Sequence, residues 1–394
     1  MYNFSFKAFT FLSLIIFSSC QSDQAQEVNY EPMELDFELV KSLEYDYLGR
    51  AFVMDYSNEL NIIALYDDQR DEIIIANEDE ILVQKKLSGD SKNSYGSRFS
   101  GALFWKDKLI ILGFGAYHIY DLDLNLIEKV NLPYPSATGL IGWFTYSLIV
   151  DDWLIYYADT NEERATLEPP ADPVVIWNLN KKTLHKSINT PAGIPMVWNA
   201  GGTGMATAQF AFANENLLVL YPNHPVIYEV NIQNGTFEDS IVIDAPTWNM
   251  PDIIKQNVEN VIETIFDNLT YPSFTFLFAN EELIITAFQH GVPREEVDKL
   301  PRNMLGGPKW FELENEYRKP KLYTFLGNQN VAETEINRGI QTWRGGYKTT
   351  NWPLGKEFKD EEEDFIRFYL YKPVLRPKSE MNVDSAEVKR EEND

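Results

Sequence analysis

A nine-residue pattern recurs five times along the chain and limits its fold more strongly than any other feature. Each copy has an aromatic or aliphatic residue, a polar group built around Asn or Asp with Glu or Asp, and an apolar run. Asn and Asp tolerate turn conformations and the flanking residues favour strands, so each copy predicts two β-strands joined by a tight turn. The copies are YSNELNIIA (Tyr56–Ala64), FWKDKLIIL (Phe104–Leu112), IVDDWLIYY (Ile149–Tyr157), FANENLLVL (Phe212–Leu220) and FANEELIIT (Phe278–Thr286).

The spacing of these copies predicts a repeat architecture. Successive copies begin 48, 45, 63 and 66 residues apart, a period in the forties that grows by insertion, as in a β-propeller. Two more segments rich in β-branched and aromatic residues follow each copy, which completes four antiparallel strands, A to D, per blade. The predicted C and D strands are Glu72–Asn77 and Ile81–Leu87, Ala116–Leu124 and Ile127–Leu132, Pro173–Leu179 and His185–Thr190, Val226–Ile232 and Ser240–Asp244, and Lys321–Leu326 and Val331–Ile336.

The two ends of the domain are predicted to close the propeller. Met33–Leu39 and Phe365–Val374 both have strand character, and pairing them in one blade would protect edges that an open array exposes. We therefore predict an all-β propeller over residues 33–375 with six blades, and with seven as the alternative. The charged segment 376–394 is nearly free of large apolar residues and is predicted to be disordered.

The first twenty residues have the pattern of an export signal. Lys7 is followed by the apolar stretch Ala8–Phe17 and by small residues, a run too short to span a membrane as a mature helix. Cys20, the only cysteine, excludes an intramolecular disulfide and stands where cleavage would make it the first residue. Phe17-Ser18-Ser19-Cys20 resembles a bacterial lipoprotein signal, although Phe17 departs from the usual Leu. An ordinary secretory signal with an incidental cysteine is the alternative.

The lipoprotein resemblance implies a membrane address. It makes residues 1–19 the signal peptide, Cys20 the lipidation site and residues 20–32 a flexible tether. Gln21 is not the aspartate associated with inner-membrane retention, so the resemblance implies an outer-membrane anchor on the cell envelope. Whether the protein faces the periplasm or the cell surface stays open.

The charge of the chain restricts its partners. A formal net charge of −26 and a pI of about 4.5 argue against nucleic acid and against electrostatic docking on anionic lipid.

No calcium-loop motif, phosphate-binding loop or nucleophile elbow is present, and the four histidines lack metal-ligand spacing. We therefore expect a monomer without a metal or cofactor, and assign no catalytic residue.

The insertions that stretch the period are predicted to share one face of the propeller. Ala158–Asp172 and Gln289–Pro320 follow B strands, and Pro246–Pro272 follows a D strand, so strand parity places all three together. Apolar residues at helical spacing predict a helix from Pro251 through Ile254, Val258, Val261, Ile262 and Ile265. That helix is either a lid packed on the propeller or a partner-binding element.

Candidate ligand-binding residues are taken from this face. Arg98, the glycine-rich run around residue 202 and the segment 343–347 precede inner strands, where glycines allow close backbone approach. The same residues would equally suit a plain turn into an inner strand. The candidates are Arg98, Gly202, Thr203, His290, Arg294, Trp343, Arg344 and Tyr347.

The lipoprotein signal, the single cysteine, the five repeats and the terminal strand FIRFYLYKPV together resemble the six-bladed, TolB-like propeller lipoproteins of Gram-negative bacteria, a family of unknown function. The resemblance implies an envelope protein that acts as a binding module for a protein or glycan through its loop-rich face. The alternative is a carbohydrate-active hydrolase or lyase with its site at the channel mouth.

Overall fold

The computed structural model describes residues 32–113, 115–136, 147–158, 174–191, 194, 196–198, 208–245, 253–255, 261–301, 307–335, 352–354 and 365–378. Strands dominate these residues, and the three helices described lie late in the chain: α1 (Val261–Leu269), α2 (Arg294–Val297) and α3 (Pro308–Tyr317).

Five sheets have four strands each, and in each of them neighbouring strands follow the chain order and pair antiparallel. This arrangement confirms the predicted all-β propeller built from four-stranded antiparallel blades. The first blade consists of β2 (Ala51–Ser57), β3 (Ile62–Asp67), β4 (Glu72–Ala76) and β5 (Ile81–Lys86), and the second of β6 (Phe99–Trp105), β7 (Lys108–Gly113), β8 (Ala116–Tyr120) and β9 (Leu126–Asn131). The third consists of β10 (Ser147–Val150), β11 (Trp153–Tyr157), β12 (Val174–Asn178) and β13 (Thr183–Ile188), and the fourth of β15 (Gln209–Ala213), β16 (Asn216–Leu220), β17 (Val226–Asn231) and β18 (Thr236–Val242). The fifth consists of β20 (Ser273–Ala279), β21 (Leu283–Gln289), β22 (Lys321–Leu326) and β23 (Gln329–Glu335).

The repeated sequence pattern forms the first hairpin of every blade. In the fourth blade Ala213 pairs with Asn216, and the two intervening residues, Asn214 and Glu215, have φ values of 50° and 66°. Two successive left-handed residues give a turn whose twist matches that of the flanking strands. The polar residues of the repeat are therefore turn residues.

Neighbouring blades are held together by apolar side chains from both faces of their middle strands. Because side chains alternate along a strand, Ile111 packs toward the first blade and Ile110 toward the third. The same alternation in β16 sends Leu217 toward the third blade and Leu218 toward the fifth. The second, third and fourth blades thus each share a core with the blade on either side.

Two buried polar side chains also connect neighbouring blades. Asp55 lies at an irregularity of β2, and its carboxylate accepts hydrogen bonds from the backbone N–H of Phe104 in the second blade at 2.7 Å and of Tyr56 at 2.8 Å. Burial raises the pKa of Asp55 to about 7, while these two N–H groups act in the opposite direction. Between the fourth and fifth blades, the Gln209 amide donates to the carbonyl of Phe274 at 3.1 Å.

The two ends of the domain form a sheet of their own. The strand β1 (Met33–Asp46) pairs antiparallel with β25 (Phe365–Pro377), and the short strand β24 (Trp352–Leu354) pairs with the other edge of β25. Leu43 of β1 packs in a cluster with the first blade, and Leu35 packs in a cluster with the fifth. The terminal strands therefore join the first and fifth blades, as predicted for closure.

The number of blades differs from the prediction. The described residues form five four-stranded blades, not six or seven. The reason is that the terminal strands build a long two-stranded ribbon with one short additional strand, and no fourth strand joins them in the described part of the chain.

The helix predicted from Pro251 begins later than expected. Residues Ile253–Lys255 form the strand β19, which pairs in parallel with β14 (Met196–Trp198), and helix α1 begins only at Val261. Ile254, assigned to the helix by its spacing, is thus a strand residue opposite Val197. A distant partner strand has overridden the local helical periodicity at this point.

Candidate functional site

The two faces of the propeller differ in the length of their connections. The A–B and C–D turns, which define the plain face, have two to five residues each in the five blades. The B–C and D–A connections define the loop-rich face, and helices α1, α2 and α3 all lie in them. Elaborated loops on a rigid scaffold are the usual place for binding residues.

Helices α1, α2 and α3, together with the segments that connect them to the fifth blade, form a helical cap with its own small core. Two insertions contribute to it, because α1 follows the fourth blade and the other two helices follow β21. The ring of Phe266 on α1 makes an edge-on contact with Trp310 on α3, with their centroids 5.4 Å apart. The core consists of Phe266, Leu269, Val292, Val297 and Leu300, with Trp310, Leu313 and Tyr317 packed against it.

This contact places two of the three insertions together. The third, after β11, lies outside the described residues from position 159.

A close backbone approach joins the end of α1 to the segment that follows β21. The N–H of Val292 donates to the carbonyl of Leu269 at 2.8 Å. Gly291 precedes it, and a Cβ at this position would overlap the backbone carbonyl of Thr270. Only glycine fits between these two segments without a shift of the backbone.

The predicted site residue Arg294 connects helices within the cap. Its guanidinium pairs with Asp267 of α1 and, at 3.2 Å, with Asp298 at the end of α2. The hydrogen bond to Asp267 is the main cause of a raised pKa of Arg294. The side chain is exposed, and both partners are carboxylates of the protein.

His290 lies at the base of the cap, directly after β21. Its ring is half-buried and contacts Phe288 edge-on, with centroids 4.8 Å apart. Burial lowers the pKa of His290, and the nearby ammonium of Lys321 adds to that effect. The neutral imidazole is therefore favoured at neutral pH.

Arg98 occupies a different part of the loop-rich face. It is exposed and directly precedes β6, as the strand order predicts. It belongs to the second blade, whereas His290 and Arg294 belong to the insertion of the fifth, so these three candidates lie in two separate regions.

A carboxylate held by two tyrosines lies in the B–C connection of the first blade. The hydroxyls of Tyr66 and Tyr95 donate to the same oxygen of Asp71, at 2.7 and 3.0 Å, and Phe99 stacks on Tyr66 at 4.2 Å. Burial acts to raise the pKa of Asp71, but hydrogen bonds from Ser88, Tyr66 and Tyr95 outweigh it and the pKa is lowered. An ionised carboxylate fixed in this way accepts hydrogen bonds and is a poor proton donor at neutral pH.

The remaining predicted site residues lie outside the described residues. These are Gly202, Thr203, Trp343, Arg344, Tyr347 and the lipidation site Cys20.

Arg318 is a residue of this face that the sequence did not single out. It follows α3 and donates through Nη2 to Ser273 Oγ and to Gln289 Oε1, both at 3.3 Å. Burial lowers the pKa of Arg318, and Glu314 one turn earlier acts in the opposite direction. Burial in turn raises the pKa of Glu314, against the effects of Arg318 and of a hydrogen bond with Trp310. Strand ends far apart in sequence bring these groups together.

Within the described part of the chain, no group of three or more His, Cys, Asp or Glu side chains is arranged to hold a metal ion. Among the same residues, none of the helices combines the length and the apolar character needed to cross a bilayer.

Fold and face together define a class of protein, a β-propeller with its elaborated connections on one side. A solved structure of similar fold is that of a DUF4221 family member from Bacteroides vulgatus, with a TM-score of 0.61 and 11% identity over 87% of this chain and 99% of that one. A predicted exported protein of Bacteroides fragilis has a TM-score of 0.52 and 11% identity over 89% of this chain and 97% of that one. At such identity the likeness shows the fold alone.

No protein-family model matches the sequence. The comparison with curated proteins also gives no match.

Proposed function

We propose that this chain is an exported, lipid-anchored protein of the bacterial envelope, related in kind to the TolB-like propeller lipoproteins, that binds a protein or glycan partner through its loop-rich face. The observation that carries the proposal is the one-sided elaboration. In the five described blades the plain face has only short turns, whereas the opposite face carries a helical cap with its own core. Binding residues usually lie on loops that a rigid scaffold positions, so insertions on one face favour a binding role for that face.

The cap presents an apolar side chain suited to a partner. Phe311 on α3 is 54% exposed, although most large apolar side chains of the described residues are buried in the blades. An exposed aromatic ring surrounded by polar residues is a common anchor in protein interfaces.

Site-specific photocrosslinking tests the binding proposal. A photoreactive amino acid at Phe311 should crosslink to one reproducible partner in envelope preparations. The same probe at Phe237, which is 40% exposed at the start of β18 beside a plain-face turn, is the matched control. Equal crosslinking from both positions, or crosslinking from Phe237 alone, would contradict a binding role for the loop-rich face.

The sequence Phe17-Ser18-Ser19-Cys20 supports the lipid anchor, and the similar fold of a predicted exported protein is consistent with it. The full chain should incorporate a labelled fatty acid and sediment with membranes, whereas Cys20→Ser should do neither. Membrane association of the Cys20→Ser protein equal to that of the natural chain would rule out the anchor at this residue. The hydrolase or lyase alternative stays a prediction.

A further inference from the structure

The sheet formed by the two ends of the domain exposes a pair of apolar side chains. Leu39 and Val40 of β1 are 55% and 49% exposed, and within the described residues they are the only exposed large apolar side chains that are adjacent in sequence. The pairing of β1 with β25 shifts by one residue at this point, so Val40 has no partner on β25. A bulge of this kind re-aims a side chain away from the regular faces of a sheet.

Partly buried aromatic rings extend this apolar surface. Leu39 stands opposite Tyr371 in the register of the two strands, and the rings of Tyr371 and Tyr369 have their centroids 6.3 Å apart. Side chains two residues apart lie on one face of a strand, so Leu39 and both tyrosines share a face of the sheet. A tyrosine has an apolar ring and a polar hydroxyl, which suits the boundary between lipid and water.

The ribbon of β1 and β25 is nearly neutral, unlike the plain face. Its two strands contain five acidic and four basic residues, whereas the A–B and C–D turns of the five blades contain twelve acidic and three basic residues. Three of the four basic side chains form ion pairs, namely Arg376 with Asp36 and Glu38, Arg367 with Glu44, and Lys41 with Glu78. An anionic lipid surface therefore repels the ribbon less than it repels the plain face.

The ribbon also begins close in sequence to the predicted lipidation site. Twelve residues, 21–32, separate Cys20 from the start of β1. At full extension they span at most about 40 Å, so a lipid on Cys20 keeps the start of β1 within that distance of the bilayer. A tether of this length makes a further contact with the bilayer effectively intramolecular, so a small apolar surface is enough to favour one orientation.

We propose that Leu39 and Val40, together with Tyr369 and Tyr371, form a membrane-contacting surface that enters the interface of a lipid bilayer. The contact is apolar and does not depend on electrostatic attraction to lipid. This inference rests on the proposed lipid anchor, because the anchor is what brings the ribbon to the bilayer.

Photocrosslinking of the anchored chain to lipid tests this surface. The full chain, with its single cysteine Cys20 coupled to a maleimide lipid, is bound to phosphatidylcholine vesicles that contain a tagged lipid. A photoreactive amino acid at Val40 should label the tagged lipid about fivefold or more above the same probe at Ile127. Ile127 is the matched control, because it is 53% exposed and is likewise the unpaired residue of a strand irregularity, in β9.

Substitutions show whether the apolar side chains make the contact. With the probe at Leu39, Val40→Asp should lower the labelling about fivefold, because it replaces an apolar side chain with a charge, and Val40→Ala should lower it about twofold. Ile127→Asp should leave the labelling from Leu39 unchanged. Circular dichroism and thermal unfolding check that each variant folds, and Val40→Ala decides the case if Val40→Asp does not.

Labelling from Val40 no stronger than from Ile127, or labelling from Leu39 unchanged in both Val40 variants, would overturn the assignment. Crosslinks from Val40 to a second copy of the chain, or in envelope preparations to another protein in place of lipid, would also overturn it. A natural chain without a fatty acid, combined with preferential labelling from Val40 in the coupled protein, contradicts the proposed anchor alone. A lipidated natural chain without that preference contradicts this inference alone.

Discussion

His118 should make the free energy of unfolding of this protein depend on pH, and substituting this residue should remove its contribution to that dependence. The ring lies on β8, is 2% exposed, and faces the first blade on the same side as Ile111. Neither ring nitrogen makes a hydrogen bond of normal geometry with a described residue. Burial, with a smaller contribution from Lys129, lowers the pKa of His118 to about 4, against an opposing effect of the Ile111 carbonyl.

The sign and the size follow from the difference in proton binding. The unfolded chain binds a proton at this histidine near pH 6.5, whereas the folded chain does so only near pH 4. The contribution of the neutral imidazole to the free energy of unfolding is therefore fully present above pH 6.5 and is lost as the pH falls toward 4. The loss amounts to about 3 kcal/mol.

Urea unfolding between pH 4 and 8 measures this effect in the natural protein, His118→Leu and His118→Gln. At pH 8 the leucine variant should equal or exceed the natural protein, because it buries no unpaired polar atom, and the glutamine variant should be less stable. Relative to the natural protein, both variants should gain about 3 kcal/mol by pH 4.

Asp55 titrates in an overlapping range with the opposite sign, because burial raises its pKa to about 7. It is present in all three proteins, so its contribution cancels in the comparison. A stability difference that stays constant from pH 4 to 8 in both variants would refute the reasoning.

Three further predictions concern the helical cap. Phe266→Ala should cost the cap about 3–5 kcal/mol and speed amide hydrogen exchange in α1 while the blades stay protected; unchanged exchange in α1 would contradict it. Gly291→Ala should lower the free energy of unfolding by about 1–3 kcal/mol in urea titrations, because its Cβ meets backbone; full stability would show that the segments can separate freely. Arg294→Ala should cost only about 0–1 kcal/mol, since its ion pairs are exposed, and a thermal shift that implies several times more would show that they are not.

The blades could be predicted from the sequence because their signals are local. The turn at Asn214 and Glu215 requires residues that accept left-handed conformations, and the strands on either side carry the apolar residues that neighbouring blades bury. Each blade repeats the same sequence pattern, so the spacing of its copies alone predicts the order of the strands. The predicted segment Lys321–Leu326 coincides with β22.

The errors fall where a partner is distant in sequence. Ile254 has helical spacing to Val258, yet it pairs with Val197 in a parallel strand pair that no local pattern signals. The predicted number of blades was wrong for the same reason. Strand character at both ends of the domain does not reveal how many strands the terminal sheet contains.

Arg318 was missed for a related reason. In sequence it is one basic residue in a mixed loop, similar to Arg294. What distinguishes the two is the set of oxygens around each guanidinium, and those come from Asp267 for one and from Ser273 and Gln289 for the other. The hydrogen-bond partners of a side chain at the end of a strand come from other strands, and a linear pattern does not contain them.

The separation between blade cores and cap core explains why a binding role would be located on this face. Side chains of the middle strands belong to cores shared with both neighbouring blades, so a change there disturbs two interfaces at once. The cap has a small core of its own, and substitutions on its outer surface, such as at Phe311, leave the cores between blades intact. Substitutions on such a surface can adapt it to a ligand without weakening the contacts between the blades. The separate core of the cap is therefore the strongest structural reason to look for the partner there.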